Sequence, residues 1–163
     1  MTSATNLRGF RSVYASAALW LLAAALAPAI SLSQPATAVP AASLLQPAEL
    51  ALLLKDAAAT QPLLLQVGFR QLYDQAHIPG SEYAGPASTP AGLQVLRDRV
   101  ARLPRNAAIV IYCGCCPWTR CPNIAAAFDT LKKLGFTNVK ALYVADNFGA
   151  DWVEHGYPTT KQP

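Results

Sequence analysis

Three short apolar runs of strand length alternate along the chain with amphipathic stretches of helix length. The runs are LLLQV (63–67), AAIVIY (107–112) and VKALYV (139–144). A strand that is apolar on both faces needs other elements to cover both of them, which is typical of a parallel sheet. The alternation therefore predicts an α/β fold in which a central parallel sheet lies between two layers of helices.

The segments between the strands carry the start and stop signals of helices. Proline stands at three predicted helix starts, Pro47, Pro90 and Pro122, where its missing N–H has no partner to lose. The first helix is expected to continue to residue 59, and Gly135 is placed to end the third. In the second helix the charged residues 97–99 are expected to face solvent.

Two shorter helices are expected, in FRQLYDQA (69–76) and FGADWVEHG (148–156). Between the first of these and the next helix lies HIPG, whose Pro79 and Gly80 suit the two central positions of a type II turn. Trp152 is expected to lie in the core.

All four cysteines of the chain fall within nine residues, between a predicted strand end and a predicted helix start. They are Cys113, Cys115, Cys116 and Cys121. In parallel sheets the binding crevice lies beyond the carboxyl ends of the strands. Loop amides and a helix N-terminus favour thiolate over thiol, and Arg120 is expected to add a fixed positive charge. The loop therefore favours a nucleophilic cysteine that acts on an anionic or sulfur-bearing substrate.

Around this loop the chain resembles the rhodanese-like family. Residues 63–83, LLLQVGFRQLYDQAHIPGSEY, are similar to its first strand and G-H-I-P-G-A motif, and residues 107–136 to its active-site strand, loop and helix. The tail GADWVEHGYPTTK (149–161) is similar to its closing tryptophan helix. The resemblance implies a three-layer rhodanese-like fold and a sulfurtransferase or thiol redox protein that works through a cysteine persulfide, with no cofactor.

The resemblance also implies site residues. Counting from the strand makes Cys113 the catalytic nucleophile, whereas counting back from Arg120 makes it Cys115. Expected substrate contacts come from Gly114, Cys115, Cys116, Trp118, Thr119 and Arg120, and expected resolving or disulfide partners are Cys115, Cys116 and Cys121. Where the family usually has Asp-Val-Arg, this chain has Gln-Val-Gly at 66–68. The implied substrates are a small sulfur-containing anion and a thiol acceptor.

The N-terminal segment has the pattern of a secretory signal peptide: a basic start, an apolar run, and the small-residue sequence Ala36–Ala38. Residues 1–38 are therefore expected to be removed, leaving a linker at 39–46 and a domain at 47–163 in the periplasm, where a redox protein is an expected partner. The alternative is an uncleaved anchor in the inner membrane. No basic stripe predicts nucleic-acid binding.

The cysteine loop has three other interpretations. One is a disulfide staple, since exported proteins form disulfides. Another is a non-enzymatic metal- or partner-binding module, with zinc or the softer copper(I) held by the thiolates. The third is a phosphatase with a Cys-x5-Arg loop, which neither the spacing of Cys113 nor that of Cys115 to Arg120 fits.

For the persulfide interpretation itself, the oxidising compartment predicts a redox-gated site. A reversible disulfide is expected between Cys113 and a neighbour such as Cys116, with activity only after reduction.

Overall fold

The computed structural model describes residues 39–56 and 58–161, which form an α/β fold around a five-stranded parallel sheet. The strand order is β1-β5-β4-β2-β3, and every neighbouring pair is parallel. The strands are β1 (Leu44–Leu45), β2 (Leu63–Gln66), β3 (Glu82–Tyr83), β4 (Ile109–Tyr112) and β5 (Val139–Leu142). The predicted fold class is confirmed.

Four α-helices connect or flank these strands. They are α1 (Pro47–Lys55), α2 (Arg70–Gln75), α3 (Pro90–Val100) and α4 (Pro122–Lys133). Short 3-10 turns cover Ala41–Ser43 and Trp118–Arg120, and the predicted closing helix is a π-helical turn at Gly149–Val153. Each predicted proline start is a true helix start, because proline there removes only an N–H that would have no intrahelical partner.

The sheet separates two apolar cores, because successive strand residues point to opposite faces. In β4, Ile109 and Ile111 face the core formed with α3 and α4, whereas Val110 and Tyr112 face the core formed with α1. Trp152 is fully buried in the α1 core, as its sequence context predicts. All four residues of β4 are buried, and this strand is the middle one of the five-stranded sheet.

The turn predicted at residues 78–81 is present. Gly80 has a φ of +74°, and the Ser81 N–H donates to the Ile78 carbonyl over 3.0 Å. Glycine is favoured there because a side chain is strained at positive φ.

Two of the predicted boundaries need correction. Residues 39–46 were expected to be a linker, but Leu44 and Leu45 form the edge strand β1, and the Tyr143 N–H donates to the Leu45 carbonyl over 2.8 Å. Two leucines next to a sheet edge bury apolar area that a linker would leave in water. Helix α1 ends at Lys55 rather than at residue 59, and residue 57 lies outside the described part.

The predicted signal peptide, residues 1–38, also lies outside the described residues. Among the helices that the structure does describe, none is both long and apolar enough to cross a membrane.

The charged face of α3 is less solvated than its sequence indicates. Arg99 forms an ion pair with Glu82 of β3, in which its Nη2 donates to Oε1 over 2.6 Å. This hydrogen bond lowers the pKa of Glu82. The two residues are 17 apart in sequence, so the helical pattern alone contains no sign of the pair.

The order of the strands reverses between β2 and β4. From β2 the chain moves outward to β3, then crosses back to β4 and continues to β5 on the other side. The loops that leave β2 and β4 therefore diverge and open a crevice at the carboxyl ends of these two strands. The cysteine loop begins at this crevice.

One buried hydroxyl should contribute measurably to stability. The Tyr112 hydroxyl contacts the Ser81 hydroxyl at 2.7 Å and accepts from the Ile78 N–H over 3.2 Å. Tyr112→Phe leaves the Ser81 hydroxyl and the Ile78 N–H without the tyrosine hydroxyl as a partner. It should lower the free energy of unfolding by about 1–3 kcal/mol in denaturant titrations.

The matched control for this change is Tyr157→Phe. Tyr157 is a half-buried residue whose hydroxyl makes no hydrogen bond within the described part of the chain, so the removal of this hydroxyl should leave stability nearly unchanged. Equal losses in the two variants would contradict the assigned role of the Tyr112 hydroxyl.

Candidate active site

Cys113 follows β4 directly and is held at the floor of the crevice. The Val67 N–H donates to the Tyr112 carbonyl over 2.8 Å, which extends the pairing of the two strands up to the cysteine. Cys113 is only 3% exposed and packs against the α3/α4 core. A Cβ added at Gly68 would lie 2.7 Å from its Sγ, so glycine at this position makes room for the thiol.

Gly114 turns the loop away from the strand. Its φ is +76°, and an added Cβ would lie 2.5 Å from the Cβ of Phe148. The Phe148 N–H donates to the Gly114 carbonyl over 3.1 Å, and the Trp118 N–H donates to the Ala145 carbonyl over 2.9 Å. These bonds attach the loop to the segment that follows β5, so its backbone is held at two points.

Three of the four thiols converge. The Sγ atoms of Cys113, Cys115 and Cys121 all lie within 4.8 Å of one another. The Cys113 thiol donates to the Cys115 Sγ over 3.1 Å. Cys116 is 3.3 Å from the Cys115 Sγ but does not belong to the group of three. No disulfide joins these four cysteines in the structure.

Asn123 is a site residue that sequence reasoning missed. It is fully buried in the first turn of α4, and its Nδ2 lies 3.5 Å from the Cys113 Sγ and 3.6 Å from the Cys115 Sγ. Its Oδ1 accepts from the Ser88 N–H over 2.9 Å, which fixes the direction of the amide. The available signal was a polar residue on the inward face of a helix, immediately after the cysteine loop.

The hydrogen bonds within the cluster divide the thiols into two classes. The pKa of Cys115 is lowered to about 5, mainly by the hydrogen bond from the Cys113 thiol. Hydrogen bonds with Cys116, the Asn123 amide and Cys121 lower it further. The Cys113 thiol also lowers the pKa of Cys121 to about 7, with help from the Ile124 N–H. Cys115 is therefore a thiolate at neutral pH and only half-buried.

The other two thiols are protonated donors. The pKa of Cys113 is raised by its hydrogen bonds to the sulfurs of Cys115 and Cys121, and also by burial. The pKa of Cys116 is raised to about 12, mainly by burial and then by its bond to Cys115. Since a thiolate is the reactive form of cysteine, Cys115 combines reactivity with access.

A cavity of about 300 Å³ opens beside these sulfurs. Of the predicted site residues, Cys113, Gly114 and Cys115 line it, together with Gln66, Leu72, Gln75, Ala76, Tyr112, Asn147, Phe148, Gly149 and Val153. None of these lining residues carries a positive charge. The Gln66 side chain is buried, and its Oε1 accepts from the Gly68 N–H over 3.1 Å.

The remaining predicted contact residues lie elsewhere. Trp118, Thr119 and Arg120 line a separate groove of about 750 Å³ next to α4. Arg120 is exposed, and within the described residues its guanidinium makes no hydrogen bond to a thiol. The Trp118 ring packs 5.2 Å from the Tyr143 ring, centroid to centroid. The loop therefore separates these three residues from the cavity that Cys113 and Cys115 line.

Comparisons with known proteins bear on this arrangement. A sequence profile of the Rhodanese-like domain matches residues 46–144. No curated protein sequence matches significantly.

Among solved structures, the Rhodanese-like domain of the Alr3790 protein from Anabaena sp. is 22% identical, with a TM-score of 0.56 over 73% of this chain and 79% of that one. The BH2092 protein from Bacillus halodurans is 20% identical, with a TM-score of 0.55 over 72% and 75%. A variant of EanB in complex with hercynine is 20% identical, with a TM-score of 0.51 over 73% of this chain and 27% of that one. At these identities the likeness shows the fold.

The thiol pKa values predict a measurable pH dependence. Alkylation of Cys115, followed by peptide mass spectrometry, should rise with a midpoint near pH 5 and stay constant above it, because the thiolate is fully formed there. Cys113→Ala removes the main hydrogen-bond donor and should move this midpoint to higher pH.

Thr119→Ala is the matched control, since Thr119 is an exposed residue of the same loop. It should leave the midpoint in place. A midpoint close to the ordinary cysteine pKa of about 8.5 in the unsubstituted protein would contradict the assignment of the thiolate to Cys115.

Proposed function

The chain belongs to the rhodanese-like family, and we propose that it is a sulfurtransferase-type enzyme that carries sulfur as a persulfide on the cysteine loop. The observation that supports this most is the position of the Cys115 sulfur at the cavity, where the Cys113 thiol and the Asn123 amide reach it and lower its pKa. A stabilised, accessible thiolate is what nucleophilic attack on a sulfur atom requires.

Two cysteines compete for the role of nucleophile. The register from the strand predicts Cys113, which lines the cavity but is buried and has a raised pKa. The register from Arg120 predicts Cys115, which lines the same cavity and has a lowered pKa. We assign the attack to Cys115 and the stabilisation of its thiolate to Cys113.

The reaction then has two balanced steps. The Cys115 thiolate attacks the outer sulfur of a donor persulfide, R–S–SH; a new S–S bond forms, the donor S–S bond breaks, and RS⁻ leaves with the electron pair. An acceptor thiolate then attacks the outer sulfur of the cysteine persulfide, and Cys115 leaves as the thiolate that it was at the start. Asn123 donates to the sulfur that carries negative charge before and after the cycle.

The absence of a cation from the lining of the cavity narrows the class of donor. A dianion such as thiosulfate loses its hydration on entry and finds no cation among the lining residues. Residue 68 is glycine, so the arginine that the family usually has at this position is absent. Any side chain at position 68 would also collide with the Cys113 sulfur. A thiol persulfide, whose reacting end carries little charge, is better suited to this cavity.

The acceptor is proposed to be a thiol. If the chain is exported as its N-terminus indicates, a thiol of a periplasmic redox protein is the proposed partner, and the oxidising compartment makes reduction of the loop a condition for activity.

Variants of the loop test the assignment of the nucleophile. With a thiol persulfide as donor, Cys115→Ser should lower kcat/KM by at least about 10³-fold, since no other thiolate reaches the cavity. Cys113→Ser keeps a hydroxyl that can donate to the Cys115 sulfur, so it should lower kcat/KM only about tenfold, equivalent to about 1.4 kcal/mol.

Cys116→Ser is the matched control within the loop and should transfer sulfur nearly as well as the unsubstituted protein. If Cys113→Ser is inactive and Cys115→Ser is active, the strand register gives the correct nucleophile and our assignment fails. If the reduced, unsubstituted protein transfers no sulfur from any donor, the proposed function fails.

Donor preference tests whether the lack of a cation in the cavity lining disfavours thiosulfate. We expect kcat/KM for cysteine persulfide to exceed that for thiosulfate by at least about tenfold. Gln75→Lys introduces a cation at the cavity lining and should raise the thiosulfate value selectively. Preference for thiosulfate in the unsubstituted protein would contradict this part of the proposal.

A further inference from the structure

The group of three sulfurs has a second chemical capacity besides sulfur transfer. We propose that Cys113, Cys115 and Cys121 form a site for one soft metal ion, copper(I), bound by three thiolates. The inference is independent of the proposed sulfurtransferase activity, because it rests on where the sulfurs lie relative to one another. The two functions use the same atoms and so exclude each other at any moment.

The distances suit a single ion. A metal bonded to three sulfurs at about 2.3 Å, the usual Zn–S distance, lies at the centre of a triangle with edges of about 4 Å. The three Sγ atoms lie within 4.8 Å of one another, and the edge from Cys113 to Cys115 is 3.1 Å. Small rotations of the side chains would bring the edges to the required length.

The surroundings supply donors to the ligand sulfurs. The Asn123 amide reaches Cys113 and Cys115. Cys121 is the N-cap residue of α4, at the end of the helix where the dipole favours negative charge. Such donors offset the charge of bound thiolates and orient the ligands.

Ligand number and type favour copper(I) over zinc. Structural zinc sites are tetrahedral with four protein ligands, whereas copper(I) accepts three thiolates and is selected by soft ligands. Cys116 lies outside the group, and no histidine or carboxylate in the described residues joins it. Binding forms three Cu–S bonds, releases the protons of those sulfurs that are thiols, and leaves the copper(I) oxidation state unchanged.

The test is copper(I) titration of the reduced, metal-free full chain under anaerobic conditions, in competition with a chromogenic copper(I) chelator and without any sulfur donor. We expect one ion per chain, and X-ray absorption should show three sulfur neighbours. Cys113→Ser, Cys115→Ser and Cys121→Ser should each weaken binding more than Asn123→Ala does, and Asn123→Ala should weaken it roughly 10- to 100-fold.

Cys116→Ser is the control and should bind copper(I) as the unsubstituted protein does. Circular dichroism of each variant identifies any that fail to fold, and the half-buried Cys121→Ser decides the outcome if the buried Cys113→Ser is unfolded.

Three results would overturn the proposal: failure to hold copper(I) against the chelator, equal losses in Cys116→Ser and Cys121→Ser, or preferential retention of zinc with four sulfur neighbours. A chain that transfers sulfur but binds no copper(I) would overturn this inference alone, and a chain that binds copper(I) but transfers no sulfur would overturn only the proposed function.

Discussion

The approach of the Cys113 sulfur to the backbone at Gly68 determines how the rest of the site is arranged. The neighbouring parallel strands β2 and β4 end side by side, with Gln66 paired with Tyr112, so the segments that follow them lie at the same crevice. Because position 68 has no side chain, there is room for the Cys113 thiol beside it. Glycine at this position also means that the arginine which the family usually has there is absent. The cavity that Cys113 lines therefore has no cation in its lining.

Hydrogen bonds among the sulfurs then replace the fixed positive charge that the sequence led us to expect. A thiolate in a partly buried site needs donors, and Arg120, exposed and lining a different groove, does not provide one. Cys113 and Asn123 do. The consequence is a division of roles: the buried Cys113 thiol keeps its proton and donates a hydrogen bond, while the half-buried sulfur of Cys115 carries the negative charge on which both the proposed sulfur transfer and the proposed metal binding depend.

Much of the fold could be predicted because it depends on local patterns. The apolar runs around 63–67, 107–112 and 139–144 became three neighbouring strands, and the prolines at helix starts and the turn at Gly80 have direct local causes. The edge strand β1 was missed because two leucines make too short a run to predict a strand before their sheet partner is known.

The site was predicted less completely, since its contacts cross the chain. Sequence placed the four cysteines at the carboxyl end of a strand, but the loop divides the predicted residues between two cavities. Which thiols meet depends on the turn at Gly114 and on its contact with Phe148, 34 residues later, and that contact leaves no local signal. Asn123 was missed because the periodicity of a helix shows which of its residues point inward but not which residues of other elements they contact.

The most direct test of this account is to locate the transferred sulfur. The reduced protein is incubated with cysteine persulfide in the absence of an acceptor, the remaining thiols are blocked, and fragmentation mass spectrometry of the loop peptide identifies the modified residue. With Cys115 as the nucleophile, we expect one added sulfur atom on Cys115 and no added sulfur atom in Cys115→Ser. An added sulfur on Cys113 with Cys115 left as a blocked thiol would contradict it.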